Sequence, residues 1–551
     1  MHRLYAPLLG LIIVFGCLRI VATYGHFWQT WDEPAHVAAG LQWWEKGRIT
    51  HERLHPPLAR IAMAAGPYFA GVRGTADAPD HWTDGNALLH RGRSYERNLA
   101  FARLGILPFF VIASLVVAAW TARCAGREVS LVAVLLFGLL PPVMAHAGLA
   151  SLDMACAAMV AAALFAFVLW LEKPDAPRTL FLGTTVGLAV TAKFSAFAFL
   201  SAGFSALILL WCLGMPDGSE RSVSRRLRSL LLALAVAATS VWIVYRFSLG
   251  TIEQSGAGQN LQAVLGALGP AAPLAGHLAA TIPLPAVDFF WGLFDVVYFR
   301  QDEGHLAYFL GDIGKRGWWL FYPVLLLVKT PVTFLVLAGL GVYAGLRHCC
   351  PLNFSRSALV PLAGAAAVMV AGIFFTPHNG LRQILAVYPL VAVVAGCGFA
   401  QLWRSPHRTS LSRFAAVVLV AACAANSFAV HPDYLSYFNF MAGRNPASIA
   451  ADSDLDWGQD LKPLAQACRR LGVNELALQY NGSKGIDLSA FDLPKTTELP
   501  PYERLPGWVA VSRQKILLGT GDPPYNQFAW LAEEKPVEEI GNSILLFRFG
   551  P

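Results

Sequence analysis

Eleven apolar runs, at residues 4–24, 99–120, 129–147, 149–171, 179–195, 196–214, 229–248, 318–346, 358–376, 381–403 and 413–430, constrain this chain more than any other feature. Each offers close to the roughly 20 helical residues that cross about 30 Å of hydrocarbon. The adjoining 179–195 and 196–214 runs are tight and read as a tilted or broken pair. Lipid offers a backbone no hydrogen-bond partner, so such runs fold as helices. Hydrophobic residues fill 56% of the 551 positions and charged residues 14%, which excludes a soluble globular class. The net charge of +7 is not a nucleic-acid signature, because Lys and Arg sit largely in short loops between apolar runs. Nine cysteines show no CxxC or metal spacing, and only Cys468 falls in a soluble region, so no disulfide framework is expected. The run at 4–24 has the basic flank of a signal peptide but no convincing cleavage site, and it reads as a retained first helix.

Threading the runs alternately puts Arg123, Arg127, Lys173, Arg178, Arg221, Arg225, Arg226, Arg228, Arg347, Arg356, Arg404, Arg408 and Arg413 on one face, the cytoplasmic one by the positive-inside rule. The N-terminus is then inside and the C-terminus outside. Residues 25–98, 249–317 and 431–551 share the outer face, which is where function is expected. The expected fold is an all-α polytopic membrane bundle of about 11 transmembrane helices (1–430) with a small C-terminal extracytoplasmic α/β domain (431–551). In that tail Leu461–Leu471 reads as a helix, and 475–480, 508–512 and 543–549 read as strands. Neither an inverted repeat nor a low-complexity linker is evident.

The outer segments carry the chemistry. Thr30-Trp31-Asp32-Glu33-Pro34-Ala35-His36 follows the first run. With Pro34 in the first turn of a helix running to about Lys46, Asp32 sits at or beside the N-cap and shares a face with His36. Val37, Leu41, Trp43 and Trp44 suit that helix to the membrane interface. Taken alone, Asp32 as a cap and Glu33 as a dipole partner are the commoner roles. His55-Pro56-Pro57-Leu58 stiffens an extended return, with Arg60 just behind it as an anion contact. Asp153 opens a span after the Pro141-Pro142 break, and Lys193 ends one, where a cap and a snorkelling cation are the plain alternatives. Lys329 lies about eleven residues into its run, an expensive depth for an amine. His378 and Arg382, in Thr376-Pro377-His378-Asn379-Gly380-Leu381-Arg382, add an outer turn suited to an anionic headgroup.

These residues resemble the C-type glycosyltransferase superfamily, in the branch of protein O-mannosyltransferases and lipid A aminoarabinose transferases. The resemblance rests on Asp32-Glu33-x-x-His36, His55-Pro56-Pro57-Leu58, Asp153 and Lys193. It continues through Tyr308-Phe309-Leu310-Gly311, Trp318-Trp319, Lys329-Thr330-Pro331, and Arg382 with Tyr388-Pro389. Asp452-Ser453-Asp454-Leu455-Asp456-Trp457-Gly458-Gln459-Asp460 is similar to a signature of bacterial phospholipid-carrier-dependent glycosyltransferases. The resemblance implies a cavity open to the outer face of a bacterial inner membrane. There a polyprenyl-phosphate sugar donates, with inversion, to a protein hydroxyl, a glycolipid or another envelope glycan.

Carried over by position, Asp32 takes the acceptor proton, with Glu33 and Asp153 as further catalytic carboxylates. Lys193, Arg382, Lys329 and Arg60 are the donor-phosphate contacts, since fixed cations stabilise the charge that develops on a leaving phosphate. His36, His55 and His378 border the substrate. Asp32, Glu33, His36, His51 and His55 form an oxygen and imidazole set from which a divalent ion is open, with Asp32 and His36 the foremost ligands, although no HExxH pattern is present. A lipid or solute transporter and a non-catalytic scaffold are the competing readings, the first drawing on Lys329. The tail, on the same face, is a candidate selector of the acceptor.

Overall fold

The computed structural model describes residues 3–49, 52–75, 80–92, 94–213, 223–253, 255, 258–298, 306–347, 357–374, 378–404 and 410–550. His51, Arg221, Cys349, Cys350, Arg356, Thr376, Pro377 and Arg408 lie outside them.

Every apolar run coincides with a helix or a bent helix pair. Among the described residues five segments, Tyr95–Ala125, Asp153–Glu172, Ala196–Leu213, Ser224–Val244 and Ser410–Ala429, are long and apolar enough to cross a membrane, and two bent pairs raise the number to seven. Tyr5–Val21, Ala176–Ala192 and Val387–Trp403 have 17 residues each and Leu359–Ile373 has 15, or about 23–26 Å at 1.5 Å per residue. Length alone therefore does not make eleven crossings. Large apolar side chains on the outside, Phe414 at 65% exposure and Leu209 at 62%, mark lipid-facing surface. The chain is an integral membrane protein.

Both bends have the same cause. Leu140 before Pro141 and Thr330 before Pro331 take extended backbone (ψ 118° and 136°), as a residue preceding proline prefers. The helices Arg127–Phe137 and Pro141–Ala147 meet at 70°, and Phe321–Lys329 and Val332–Arg347 at 114°. The run at 318–346 is thus two helices with Lys329 at the corner, rather than one straight span with a mid-membrane lysine.

Asp153–Glu172 is the central helix, its apolar window 94% buried. Around it small residues let backbones touch, since packing rather than hydrophobicity drives association in lipid. A Cβ on Gly183 would stand 2.5 Å from the Ala233 carbonyl oxygen, and one on Gly341 or Gly398 would overlap the backbone of the facing helix.

The segment 25–98 is itself helical, with Glu33–Lys46, Leu58–Phe69 and His81–Leu89, and Tyr95–Leu104 leads from it into the next apolar run. Val37 and Leu41 are buried in protein, not laid on lipid as expected, because the neighbouring helices of the same segment cover that face. Gly40 allows a close crossing, its missing side chain leaving room for the Arg60 carbonyl. The second outer segment holds Gly258–Ala267, Ala272–Thr281 and Val287–Tyr298, with two short antiparallel strand pairs.

The tail forms a five-stranded mixed sheet. Its strands are β1 (Glu475–Gln479), β2 (Lys495–Glu498), β3 (Gly507–Ser512), β4 (Glu538–Ile540) and β5 (Ile544–Phe549). Their order is β2-β1-β3-β5-β4, with β1 parallel to both β2 and β3 and the remaining pairs antiparallel. Strand alternation sends Leu476, Leu478, Ala510 and Leu546 to one face, under the helix Leu461–Leu471. Val509, Val511, Leu545 and Phe547 go to the other, under Phe528 and Leu531. β2 and β4 were not foreseen: each is short and polar, so neither shows alternation.

The first core continues into the membrane half. Trp28, just after the first span, packs its ring 4.6 Å from Phe491, and Gln29 bonds Asn86 and Ser483. Trp28→Ala is therefore expected to cost about 3–5 kcal/mol, measured as a lower thermal midpoint in detergent together with faster protease cleavage within 461–550.

Candidate active site

Glu33 and Asp32 are adjacent in sequence and separate in structure. Glu33, on the first turn of its helix, is wholly buried and accepts two hydrogen bonds from Arg103, Oε1 to Nε at 2.8 Å and Oε2 to Nη2 at 2.9 Å. The backbone N–H groups of Thr30 and Ala150 donate to the same carboxylate, each at 2.8 Å. All four contacts come from the protein itself, so Glu33 clamps the end of the first span, its own helix, the helix Tyr95–Leu104 and the turn before Asp153. Arg103, the partner that makes this possible, carries no local motif and was missed.

Asp32 stands at the N-cap position but makes no side-chain capping bond. Its side chain remains a quarter exposed, and Oδ2 pairs with Arg382 Nη1 at 3.1 Å. The same Nη1 lies 3.7 Å from Asp153 Oδ2. Asp153, at the start of the central helix, also accepts from Lys193 Nζ at 2.8 Å, and Lys193 donates onward to Gln383 Oε1 at 2.8 Å. Two carboxylates and two cations, drawn from four separate places in the chain, thus converge. Among the described residues Nη2 of Arg382 makes no hydrogen bond, which leaves one edge of the fork for an added oxygen ligand.

Arg60 lies elsewhere. Fully buried behind the Pro56-Pro57 turn, it donates to the carbonyls of Glu52 (2.8 Å) and His55 (3.0 Å), pairs with the Glu52 carboxylate, and reaches His36 Nδ1 at 3.4 Å. It folds the 52–57 return onto the helix Glu33–Lys46 and is spent on that task, with Glu52 the partner not foreseen. The His36 and His55 rings lie 5.6 Å apart, and His55 lines an open cleft of about 420 Å³ with Trp43, Arg48, Arg53, Tyr245 and Asp288. Burial and the Arg60 charge hold His36 well below the ordinary imidazole range. Burial also lowers half-buried His55, to about 4, despite the opposing pull of Glu52 and Asp32. For Glu52 burial acts to raise the carboxyl, but Arg60 and His55 outweigh it and bring it down to about 2.

Lys329 is also taken. At the corner of its bent pair it donates to the Leu435 carbonyl at 2.8 Å and to the Asp454 carbonyl, with the Asp454 carboxylate at 3.7 Å. It binds the helical half to the tail. His378 packs between Phe321 and Tyr322, and its Nδ1 accepts the Trp318 N–H at 3.0 Å. No group of three or more His, Cys, Asp or Glu side chains converges as a metal cage among the described residues. A divalent ion on Asp32 and His36 would face the guanidinium groups of Arg382 and Arg60, so these residues do not fit one.

Comparison with known proteins bears on the segment that carries the corner and Arg382. Residues 314–445 match the model of the Alg9-like mannosyltransferase family. Among solved structures the chain is similar to ArnT from Cupriavidus metallidurans bound to undecaprenyl phosphate (12% identity, 97% of each chain, TM-score 0.48). It is also similar to the Archaeoglobus fulgidus oligosaccharyltransferase in its apo form (14% identity, 94% of this chain and 72% of that chain, TM-score 0.48). A third similarity is to the S. cerevisiae Pmt1-Pmt2 protein O-mannosyltransferase complex bound to the sugar donor (17% identity, 44% and 33%, TM-score 0.35). These superpositions are too loose to carry a residue correspondence. No curated protein matches the sequence.

The two acids have different expected fates. Glu33→Gln leaves Arg103 buried with a neutral partner and should cost about 3–5 kcal/mol, whereas Asp32→Asn should change the thermal midpoint little. Acid should loosen the 52–57 return. Since the folded His55 is depressed from 6.5 to about 4, the unfolded chain binds the extra proton first, and stability declines as pH falls from 6.5 towards 4. The Glu52–Arg60 pair persists through that window and is lost only as pH falls from 4.5 through about 2. Thermal midpoints across pH 7 to 4 should therefore fall for the parent and fall less steeply in His55→Gln, where the depressed His36 supplies the decline that remains.

Proposed function

We propose that this protein transfers a sugar from a polyprenyl-phosphate donor to an acceptor hydroxyl on the outer face of the membrane, with Asp32 as the base. The observation that carries the reading is the single ion-pair cluster in which Arg382 Nη1 reaches Asp32 at 3.1 Å and Asp153 at 3.7 Å. Its acid is solvent-accessible and its cation has an edge to spare. The glycosyltransferase match over residues 314–445, which contains Arg382, supports the reaction class.

In this reaction the acceptor oxygen attacks the anomeric carbon as its proton passes to an Asp32 carboxylate oxygen. The bond from that carbon to the phosphate oxygen breaks, its electron pair leaves on the phosphate, and the configuration inverts. Arg382 and Lys193 stabilise the leaving phosphate, in a site where a buried cation acts more strongly than in water. Asp153 orients both cations. Glu33 acts on the base from behind, by fixing the first turn of the helix on which Asp32 sits. Arg60 and Lys329 belong to the frame. The lysine that favoured a transporter is bonded to Leu435 and Asp454, so that support is gone.

The topology goes with the reading: N-terminus cytoplasmic, C-terminus and the 25–98 and 249–317 segments extracytoplasmic, and 431–551 an outer domain applied to the catalytic face. Asp32→Asn tests the mechanism. It should bind a polyprenyl-phosphate sugar as the parent does and lose transfer by about 10²–10⁴-fold, followed as label leaving the lipid phase. Normal turnover in a folded Asp32→Asn protein would remove Asp32 as the base.

A further inference from the structure

The segment 452–457 was expected to belong to a separate tail, yet it forms a wall of the Asp32–Arg382 centre. Trp457, 4% exposed, lays its ring 4.1 Å from the Arg382 guanidinium carbon. The carbonyl of the same residue accepts the N–H of Trp31 at 2.9 Å, one residue before Asp32. Its own N–H is held by Gln459 Oε1 at 2.9 Å. Ser453 takes the opposite edge of the guanidinium: Oγ accepts from Arg382 Nε at 3.1 Å and donates to the Asn379 carbonyl at 2.6 Å. The Asp454 carboxylate accepts the Leu381 N–H at 3.1 Å, which pins the turn bearing Arg382. One tail residue therefore touches the cation through its ring and the segment leading to the base through its backbone.

We propose that Trp457 is a positioning residue of the sugar-transfer reaction: with Ser453 it holds the Arg382 plane edge-on to Asp32 and Asp153, so that Nη1 pairs with the acids while the remaining edge faces the donor phosphate. The proposal rests on the glycosyltransferase reading above. An arginine restrained only by its ion pairs can swing about its long side chain. A face-on indole and a hydroxyl on Nε remove that freedom, and a desolvated cation–π contact is strong enough to matter to rate. The tail is then part of the centre itself, whatever it does for acceptor choice.

A double-mutant cycle tests this in membrane vesicles carrying the full chain. The readout is the initial rate at which label leaves a panel of radiolabelled polyprenyl-phosphate hexoses and pentoses. Trp457→Leu should slow transfer about tenfold, and Trp457→Phe, which keeps an aromatic face, should stay within about threefold. In an Arg382→Lys background, where there is no plane to orient, Trp457→Leu should cost only about twofold. Ser453→Ala, which perturbs packing less, should show the same dependence on Arg382 and serves if Trp457→Leu does not fold. Equal losses in both backgrounds, or a Phe variant as slow as the Leu variant, would overturn the positioning role. Absence of any transfer by the parent across the panel would instead overturn the glycosyltransferase reading.

Discussion

The buried pair of Glu33 with Arg103 is the constraint on which the rest of the site depends. Two charges with 0% and 1% side-chain exposure are tolerable only when each is matched in full, and here the carboxylate also closes the N–H groups of Thr30 and Ala150. Those four groups belong to the end of the first span, two outer helices and the turn leading to the central helix. Locking them together sets where the helix Glu33–Lys46 begins. It thereby sets where Asp32, the last residue outside that helix, can stand.

From that anchor the site is assembled by two kinds of contact. Small residues bring backbones together, as Gly40 does beneath Arg60 and Gly341 and Gly398 do between the helices Val332–Arg347 and Val387–Trp403. Proline-directed bends then turn helices at Thr330-Pro331 and Leu140-Pro141, so that Lys329 meets the tail. The cations divide accordingly. Arg60, Arg103 and Lys329 are bonded to protein acids and carbonyls and hold the frame, whereas Arg382 and Lys193 cluster with buried Asp153 and, through Arg382, with the partly exposed Asp32. A motif read residue by residue assigns Arg60, Lys193, Lys329 and Arg382 to one phosphate site, because a lone Lys or Arg in an apolar chain looks the same whether its partner is a ligand or a distant carboxylate.

The tail illustrates the same point in another way. Its helix and three of its strands were legible, since Leu461, Leu464, Ala465 and Cys468 recur at helical spacing and the strands β1, β3 and β5 are apolar. The polar strands β2 and β4 were not, because edge positions are specified by pairing rather than by pattern. The acidic run 452–460 was visible as a motif, but its proximity to Arg382 was not. A separation of about seventy residues, through the helices Val387–Trp403 and Ser410–Ala429, leaves no local trace.

The sequence by itself determined the membrane class, the positions of the eleven apolar runs that fold as helices or bent pairs, the helix that follows Asp32 and the short list of candidate acids and cations. These depend on local hydrophobicity, proline geometry and charge cost, which act within a few residues. Tertiary structure alone decided that Glu33 is a clamp and Asp32 an accessible acid, that Lys329 sits at a corner, and that Trp457 stacks on Arg382. Each of those assignments is made by a partner far away in the chain, and burial and pairing of a charge are properties of the pair rather than of either residue.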